Sequence, residues 1–589
     1  MDMRWNLDDL YTSFESAEFL ADFETAKKKV ADATAWAVEN FASLDNAGEK
    51  LTAFINRSNT SIEGSKVFIY CMLVTSVDES NVTAKKYMDL MRGLQAEMAK
   101  PRVMFEAFVG KVDDLAGLVA THPVLKEHEY ILNEIKSKNA YLLSEKEEVL
   151  YAKMKNTGSS AWNQMKEELA ATLQIDVVVE GEQKTLPLTA VRNLAYEASQ
   201  ETRKAAYFAE IDAYKKIERA VAGALNAVKG EALTNAAMRG YDSVLDMTLI
   251  NSRMDKGTLD ALISSVEEYL PKLRKFFKKK AEILGHKGAL PWYDLFAPVG
   301  KVDMKFTYEE GWKFMLDQFY TFSKELGDFS KNALEQKWTD AEVRPGKRGG
   351  AFCMNIHPIG QSRVMMNYGD TLNDIGTLAH EYGHAYHGYC LKDVSWMNSS
   401  YTMPIAETAS NFCENIIFDA VMKTASDEEK FIILEQLASD VAQVVIDIYS
   451  RYLFETRFFE ARKKGSLSVN EICELMLGAQ KDAYGDGICH DHLHQYMWIC
   501  KPHYYYVDRN FYNFPYTYGM MFSQGLYAQY LAEGDSFIPK YDKLLAATGS
   551  ASLEAIGDMA GIDVRTKDFW MKSLESLAGR IDEFCNMAK

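Results

Sequence analysis

Proline is scarce in this chain. Only 12 prolines are spread over 589 residues, and the long windows between them are rich in Ala, Leu, Glu, Lys and Met. These side chains lose little rotamer freedom in a helix, so the pattern predicts a mainly α fold. Residues from about 15 to 170 read as a run of amphipathic helices, punctuated at Asn46-Ala47-Gly48, Pro101 and His122-Pro123. Asp176 to Leu186 reads as a hairpin turning at Gly181. Helices resume from about Leu188 to Leu284, and Leu290 to Gly300 reads as a loop. Two strand-like runs, Ala351–Ile356 and Val364–Tyr368, predict a small β-sheet just before a further helical pattern. A boundary near residue 195 is expected to separate an N-terminal helical lobe (1–195) from a second domain (196–589).

That further helical pattern carries His380-Glu381-Tyr382-Gly383-His384. Side chains four apart share a helix face, so His380 and His384 can both reach one metal ion. Glu381 lies beside them, where a carboxylate can take a proton from metal-bound water, as in a zinc hydrolase. With 11 histidines in 589 residues, chance supplies roughly 0.03 such arrangements in a chain of this composition. The context also fits a helix. Thr371 and Asp374 resemble a capping box, and Ile375, Leu378, Tyr382, Ala385 and Tyr389 form one apolar stripe nearly opposite both histidines. The motif makes residues 196–589 the expected catalytic domain.

Charge narrows the partners. A net charge of −18 argues against nucleic acid and anionic membranes, both of which repel such a surface. Eight cysteines without a CxxC pair suggest a reduced cytoplasmic protein, and the N-terminus lacks the basic and apolar regions of a secretory signal. No apolar run reaches the length of a membrane span. The oligomeric state is not legible.

A catalytic zinc needs a third protein ligand and one open position. His387 lies roughly 10 Å along a straight helix from His380, so it is expected to be structural or to support a ligand. The metzincin pattern fails as well, because Cys390 stands where its third histidine would be. Pro404 opens a second helical pattern, in which Glu407 and Glu414 are seven apart and share a face. One could ligate the metal while the other holds a ligand imidazole by its free N–H. Spacing alone does not rank them.

His380-Glu381-Tyr382-Gly383-His384 followed by Ile405-Ala406-Glu407-Thr408-Ala409 resembles the thimet oligopeptidase family of zinc endopeptidases, most closely its oligoendopeptidase F branch. Softer matches are Trp5–Tyr11, Pro291–Leu295 and Phe514–Gly519. The resemblance implies an almost wholly helical fold, with two lobes enclosing a deep substrate channel that admits short, unstructured peptides. It also implies zinc held by His380, His384 and Glu407, with Glu414 as a supporting carboxylate. Nine tyrosines between Tyr496 and Tyr530 supply hydroxyl donors for an oxyanion. The resemblance assigns that role to His503 and Tyr516, with Tyr512 and Tyr518 as alternatives. The expected activity is hydrolysis of internal bonds in short oligopeptides by zinc-bound water that Glu381 activates. A contrasting expectation is a non-catalytic peptide-binding or scaffold protein with a structural zinc. The run Cys489, His490, His492, His494, Cys500 and His503 offers a rival metal cluster, but without finger spacing. The free edge of the predicted sheet could pair with an extended peptide backbone.

Overall fold

Reciprocal capping fixes where several helices begin. Thr307 with Glu310, Thr371 with Asp374, Ser426 with Glu429 and Ser468 with Glu471 each satisfy the other's first-turn donor. In the computed structural model, which describes residues 1–300 and 304–588, helices dominate and strands are few. Pro101 does not punctuate as expected. It lies inside the helix Val82–Lys111, which continues past it because Met91, Phe105, Phe108 and Val109 are buried on either side. The predicted hairpin pairs Gln174–Val179 with Glu182–Pro187. Its turn residues Glu180 and Gly181 have φ 55° and 81°, the two positive values that a tight two-residue hairpin turn requires.

The described residues form two compact units, each assembled from three separate stretches. The first comprises Met1–Ala140, Asp303–Lys423 and Leu526–Ile562; the second comprises Tyr141–Val302, Thr424–Gly525 and Asp563–Lys589.

In the first unit, a three-stranded sheet supports the motif helix Leu372–Cys390. Gln361–Met365 is central, pairing in parallel with Thr339–Asp340 and antiparallel with the edge strand Phe352–Ile356. The central strand starts three residues earlier than expected, since His357–Ile359 makes one tight turn and Gly360 reverses the chain at φ 60°. The N-terminal segment is stapled to this sheet. Asn6 N–H donates to the Lys337 carbonyl at 2.8 Å, Ala341 N–H donates to Met3 at 2.7 Å, and buried Arg363 donates to the Asn6 carbonyl and Asp9. Leu10, Tyr11, Phe19, Tyr70 and Ile356 then close one core cluster, which is why Trp5–Tyr11 matters so far from the motif.

In the second unit, Lys567–Met587 packs against Lys256–Leu273 and Asp427–Val441. Asp427–Val441 passes into a π-helical segment, Ala442–Asp447. Buried ion pairs join Lys229 to Glu455 at 2.6 Å and Arg203 to Asp294 at 2.8 Å. Among the described residues, no helix is long and apolar enough to cross a membrane. All eight cysteines are free thiols.

Candidate metal centre and active site

The expected apolar stripe orients the motif helix. Ile375, Leu378, Tyr382 and Ala385 are buried, and the Tyr382 hydroxyl bonds Thr339 of the sheet at 2.9 Å. The opposite face carries His380 and His384, whose rings lie 4.8 Å apart and nearly perpendicular. Glu407 sits at a break, after the turn Met403–Ala406 and before the helix Thr408–Thr424. Its Oε2 lies 3.4 Å from His380 Nε2 and 3.4 Å from His384 Nε2. Ser410 Oγ donates to the same oxygen at 2.8 Å, fixing the carboxylate. Glu414 meets the other side of His380, with its Oε1 3.0 Å from Nδ1. A carboxylate oxygen accepts here, so this bond places a proton on His380 Nδ1 and keeps Nε2 as the nitrogen that gives its lone pair to a metal once its own proton is displaced.

These atoms have the spacing of a coordination sphere. A tetrahedral ion with ligands at about 2.1 Å has edges of about 3.4 Å between them. The ligand atoms of His380, His384 and Glu407 lie within 4.8 Å of one another, and theirs is the group among the described residues suited to hold a metal ion. The three side chains keep 25%, 19% and 28% exposure, so water reaches them. Glu381 is 6% exposed, and its pKa is raised because burial disfavours the carboxylate more than the two imidazoles favour it. Burial also opposes charge on His380, yet the bond and charge of Glu414, with Glu407 and Glu381, outweigh it and raise its pKa to about 9. Burial likewise opposes ionisation of Glu407, but His384, His380 and Ser410 prevail and hold its pKa at about 2.

Gly383 is what brings the two helices together. A Cβ there would lie 2.4 Å from the Ala409 carbonyl oxygen and 2.5 Å from Ser410 Cα, both backbone atoms that cannot rotate away. Asn355 of the edge strand donates to the His384 carbonyl at 3.2 Å and steadies the helix from the other side. Sequence reasoning assigned no role to Gly383, Ser410 or Asn355. Ser410 could have been found by its i,i+3 spacing from Glu407, whereas Asn355 has no local signal.

His387 faces away from the metal group. It is fully buried, stacks on Tyr401 with ring centroids 4.2 Å apart, and bonds the Thr548 hydroxyl at 2.8 Å. Thr548 spends its one proton on the Leu545 carbonyl, so His387 Nε2 is the donor.

The remaining candidates belong to the second unit. His503 is buried, its Nε2 lacks a hydrogen-bond partner among the described residues, and its ring stacks on Tyr512 at 6.0 Å. Burial, then the cations Arg451, Lys501, Lys229 and Lys166, depress its pKa to about 2, so the ring is neutral. The Tyr516 hydroxyl donates to that of Tyr512 at 3.3 Å, and both rings are half-buried. Tyr518 is wholly buried against Trp570 and is not available to solvent. The rival histidines are dispersed: His490 bonds the Gly485 carbonyl, His492 packs on Tyr293, and His494 sits beside Glu210.

The model of peptidase family M3 matches residues 193–576, and that of the oligopeptidase F N-terminal region matches residues 112–175. An oligoendopeptidase F homolog of Lactococcus lactis subsp. lactis is 26% identical over 92% of this chain and 90% of its own. Oligopeptidase PepF of Bacillus subtilis is 24% identical over 98% of this chain and 86% of its own. In fold, oligoendopeptidase-F from Enterococcus faecium superposes with a TM-score of 0.70 at 19% identity, over 96% of this chain and 98% of its own. A proposed peptidase from Chlamydophila abortus reaches 0.87 at 21% identity, over 99% and 98%. The helical fold and the extent of the family match define a metalloendopeptidase. This chain belongs to peptidase family M3.

Proposed function

We propose that the chain is a zinc-dependent endopeptidase that hydrolyses internal bonds of short oligopeptides in the cytoplasm, with residues 196–589 as its catalytic part and 1–195 as an N-terminal lobe. The observation that carries this reading is the placement of Glu407 Oε2 at 3.4 Å from both motif Nε2 atoms. Two imidazoles and one carboxylate are the donor set of a catalytic zinc with a position left for water. His380, His384 and Glu407 would hold the ion, which when bound supplies Lewis acidity to the scissile carbonyl and to the attacking water.

The other steps fall to side chains. Glu381 takes the proton of the attacking water and returns it to the leaving amine. Glu414 fixes the tautomer and orientation of His380. His503, as a neutral donor with an unspent buried Nε2, and Tyr516 stabilise the oxyanion. The edge strand Phe352–Ile356 offers backbone groups to an extended peptide, which would favour main-chain grip over side-chain selection.

The test is a quenched fluorescent peptide assayed with chelator, then with zinc restored. Cleavage lost and regained supports the enzyme. Peptide binding without cleavage at any metal level would instead support the scaffold reading.

A further inference from the structure

In the second unit, one helix face reaches the segment that carries Tyr512 and Tyr516. The π-helical segment Ala442–Asp447 runs on into the helix Ile448–Arg462, so Asp447, Arg451 and Glu455 follow one another at four-residue steps. Arg451 spreads its guanidinium between two oxygens. One terminal nitrogen donates to the Asp447 carboxylate, and the other donates to Asn513 Oδ1 at 2.8 Å. Asp447 is buried and also accepts from the Tyr484 hydroxyl at 3.1 Å, so the ion pair is fixed on the helix side. A turn further back, the Val444 carbonyl accepts from the Thr517 hydroxyl at 2.6 Å. A turn further on, Glu455 accepts the Phe511 N–H at 3.1 Å. Phe511, Asn513 and Thr517 are thus each tied to a successive turn of one stripe.

Asn513 passes this grip to the candidate donors. Its carbonyl accepts the Tyr516 N–H at 3.1 Å, at the start of the helix Phe514–Glu533 that carries Tyr516. Tyr512 is its neighbour in the chain. Among the described residues, the Tyr512 hydroxyl bonds only that of Tyr516, and its ring meets only the rings of Tyr516 and His503. Tyr512 therefore takes no hydrogen bond from the rest of the unit that would set its direction. A buried ion pair adds little net stability over apolar packing, whereas a planar guanidinium fork fixes the angle between its two partners, as a lysine ammonium does not.

From this geometry we infer that Arg451 is a positioning residue for the oxyanion donors. By gripping Asn513 against Asp447, it sets the start of the helix Phe514–Glu533 and so aims the Tyr512 and Tyr516 hydroxyls alongside His503. The role rests on the assignment of His503 and Tyr516 to the oxyanion, and it adds Asp447, Arg451 and Asn513 to the groups on which that chemistry depends.

The test uses the zinc-loaded full chain and a quenched fluorescent peptide, with the parent and Tyr516→Phe measured alongside. Arg451→Met strands a buried carboxylate; if it fails to fold, Asn513→Leu carries the test, because it removes the acceptor and leaves the Arg451–Asp447 pair intact. Each is expected to lower kcat by about 10- to 100-fold with KM changed by less than about twofold, since a donor to the oxyanion acts in the transition state. Asn513→Asp keeps Oδ1 and gives up only Nδ2, which has no partner among the described residues, and should recover kcat to within about threefold of the parent. Arg451→Lys keeps the charge without the fork and should recover little. In a Tyr516→Phe background, Asn513→Leu should lower kcat by less than about twofold more, because residues that act through one group do not add. On Glu381→Gln, calorimetry should give the same peptide a Kd within about twofold with or without Asn513→Leu. The inference is overturned by a parental kcat in Asn513→Leu, by a loss in KM or Kd in place of kcat, by losses that add in full to that of Tyr516→Phe, or by Asn513→Asp performing no better than Asn513→Leu. Tyr516→Phe with the parent's kcat would instead remove the oxyanion assignment, and the positioning role with it.

Discussion

Glu381 and Glu407 are both glutamates within reach of the same imidazoles, yet their surroundings drive them in opposite directions. Burial leaves Glu381 with a raised pKa, whereas Ser410 and two imidazoles hold Glu407 at about 2. Glu381→Gln should therefore keep metal, read by elemental analysis, and lose kcat/KM by at least about two orders of magnitude. Glu407→Ala should release the metal, while Glu414→Ala should weaken it by about 10- to 100-fold. The pH dependence follows from His380. In the metal-free protein its pKa is about 9, raised above the ordinary 6.5, so it stays protonated at neutral pH and the metal must displace that proton. Apparent metal affinity should rise between about pH 7 and pH 9 and then flatten, a slope that competition titration with a chromophoric chelator would detect. Glu414→Gln should move the upper limit of that rise to lower pH. From spacing alone Glu407 and Glu414 were equivalent, because seven residues on one helix return to one face. The helix break after Ala406 removes that equivalence, and no local propensity announced it.

Among the elements, helix approach and loop strain control the candidate groups. Gly383→Ala ought to favour the isolated helix by about 1 kcal/mol, yet its methyl group would strike the Ala409–Ser410 backbone. The expected result is a loss of zinc affinity of about tenfold or more, with helix content by circular dichroism unchanged. Retained affinity would show that the two helices need not meet there. In the second unit, Phe511 adopts φ 53°, a conformation costly for a bulky residue, just before Tyr512. Glu455 accepts its N–H at 3.1 Å, and Lys229, paired with Glu455, also holds the Asn510 side chain at 2.8 Å. Glu455→Ala leaves Lys229 buried and unpaired, so unfolding stability should fall by about 3–5 kcal/mol in a denaturant titration. Phe511→Gly should relieve strain and lower stability far less. The tyrosine-rich sequence advertised a supply of hydroxyls, but not which were packed away. Tyr518 is lost to the core because Trp570, more than fifty residues later in the chain, covers it.

At the scale of the molecule, helix content, the small sheet and the motif helix were legible, since each rests on local periodicity and capping. The assembly of the units was not. Arg363 reaching Asn6 and Asp9, or Lys567–Met587 packing on Lys256–Leu273, joins residues hundreds of positions apart through buried surface that leaves no periodic trace. The chain passes between units at 140/141, 302/303, 423/424, 525/526 and 562/563. That itinerary bears on biosynthesis. The first unit cannot be completed until Ile562 has left the ribosome, although its opening stretch ends at Ala140. At about 5–20 residues per second, the early helices wait tens of seconds for Ile356 and the sheet that complete the Leu10–Tyr70 core cluster. Nascent chains stalled before residue 526 should therefore recruit holdase chaperones, and those released after the full length should not.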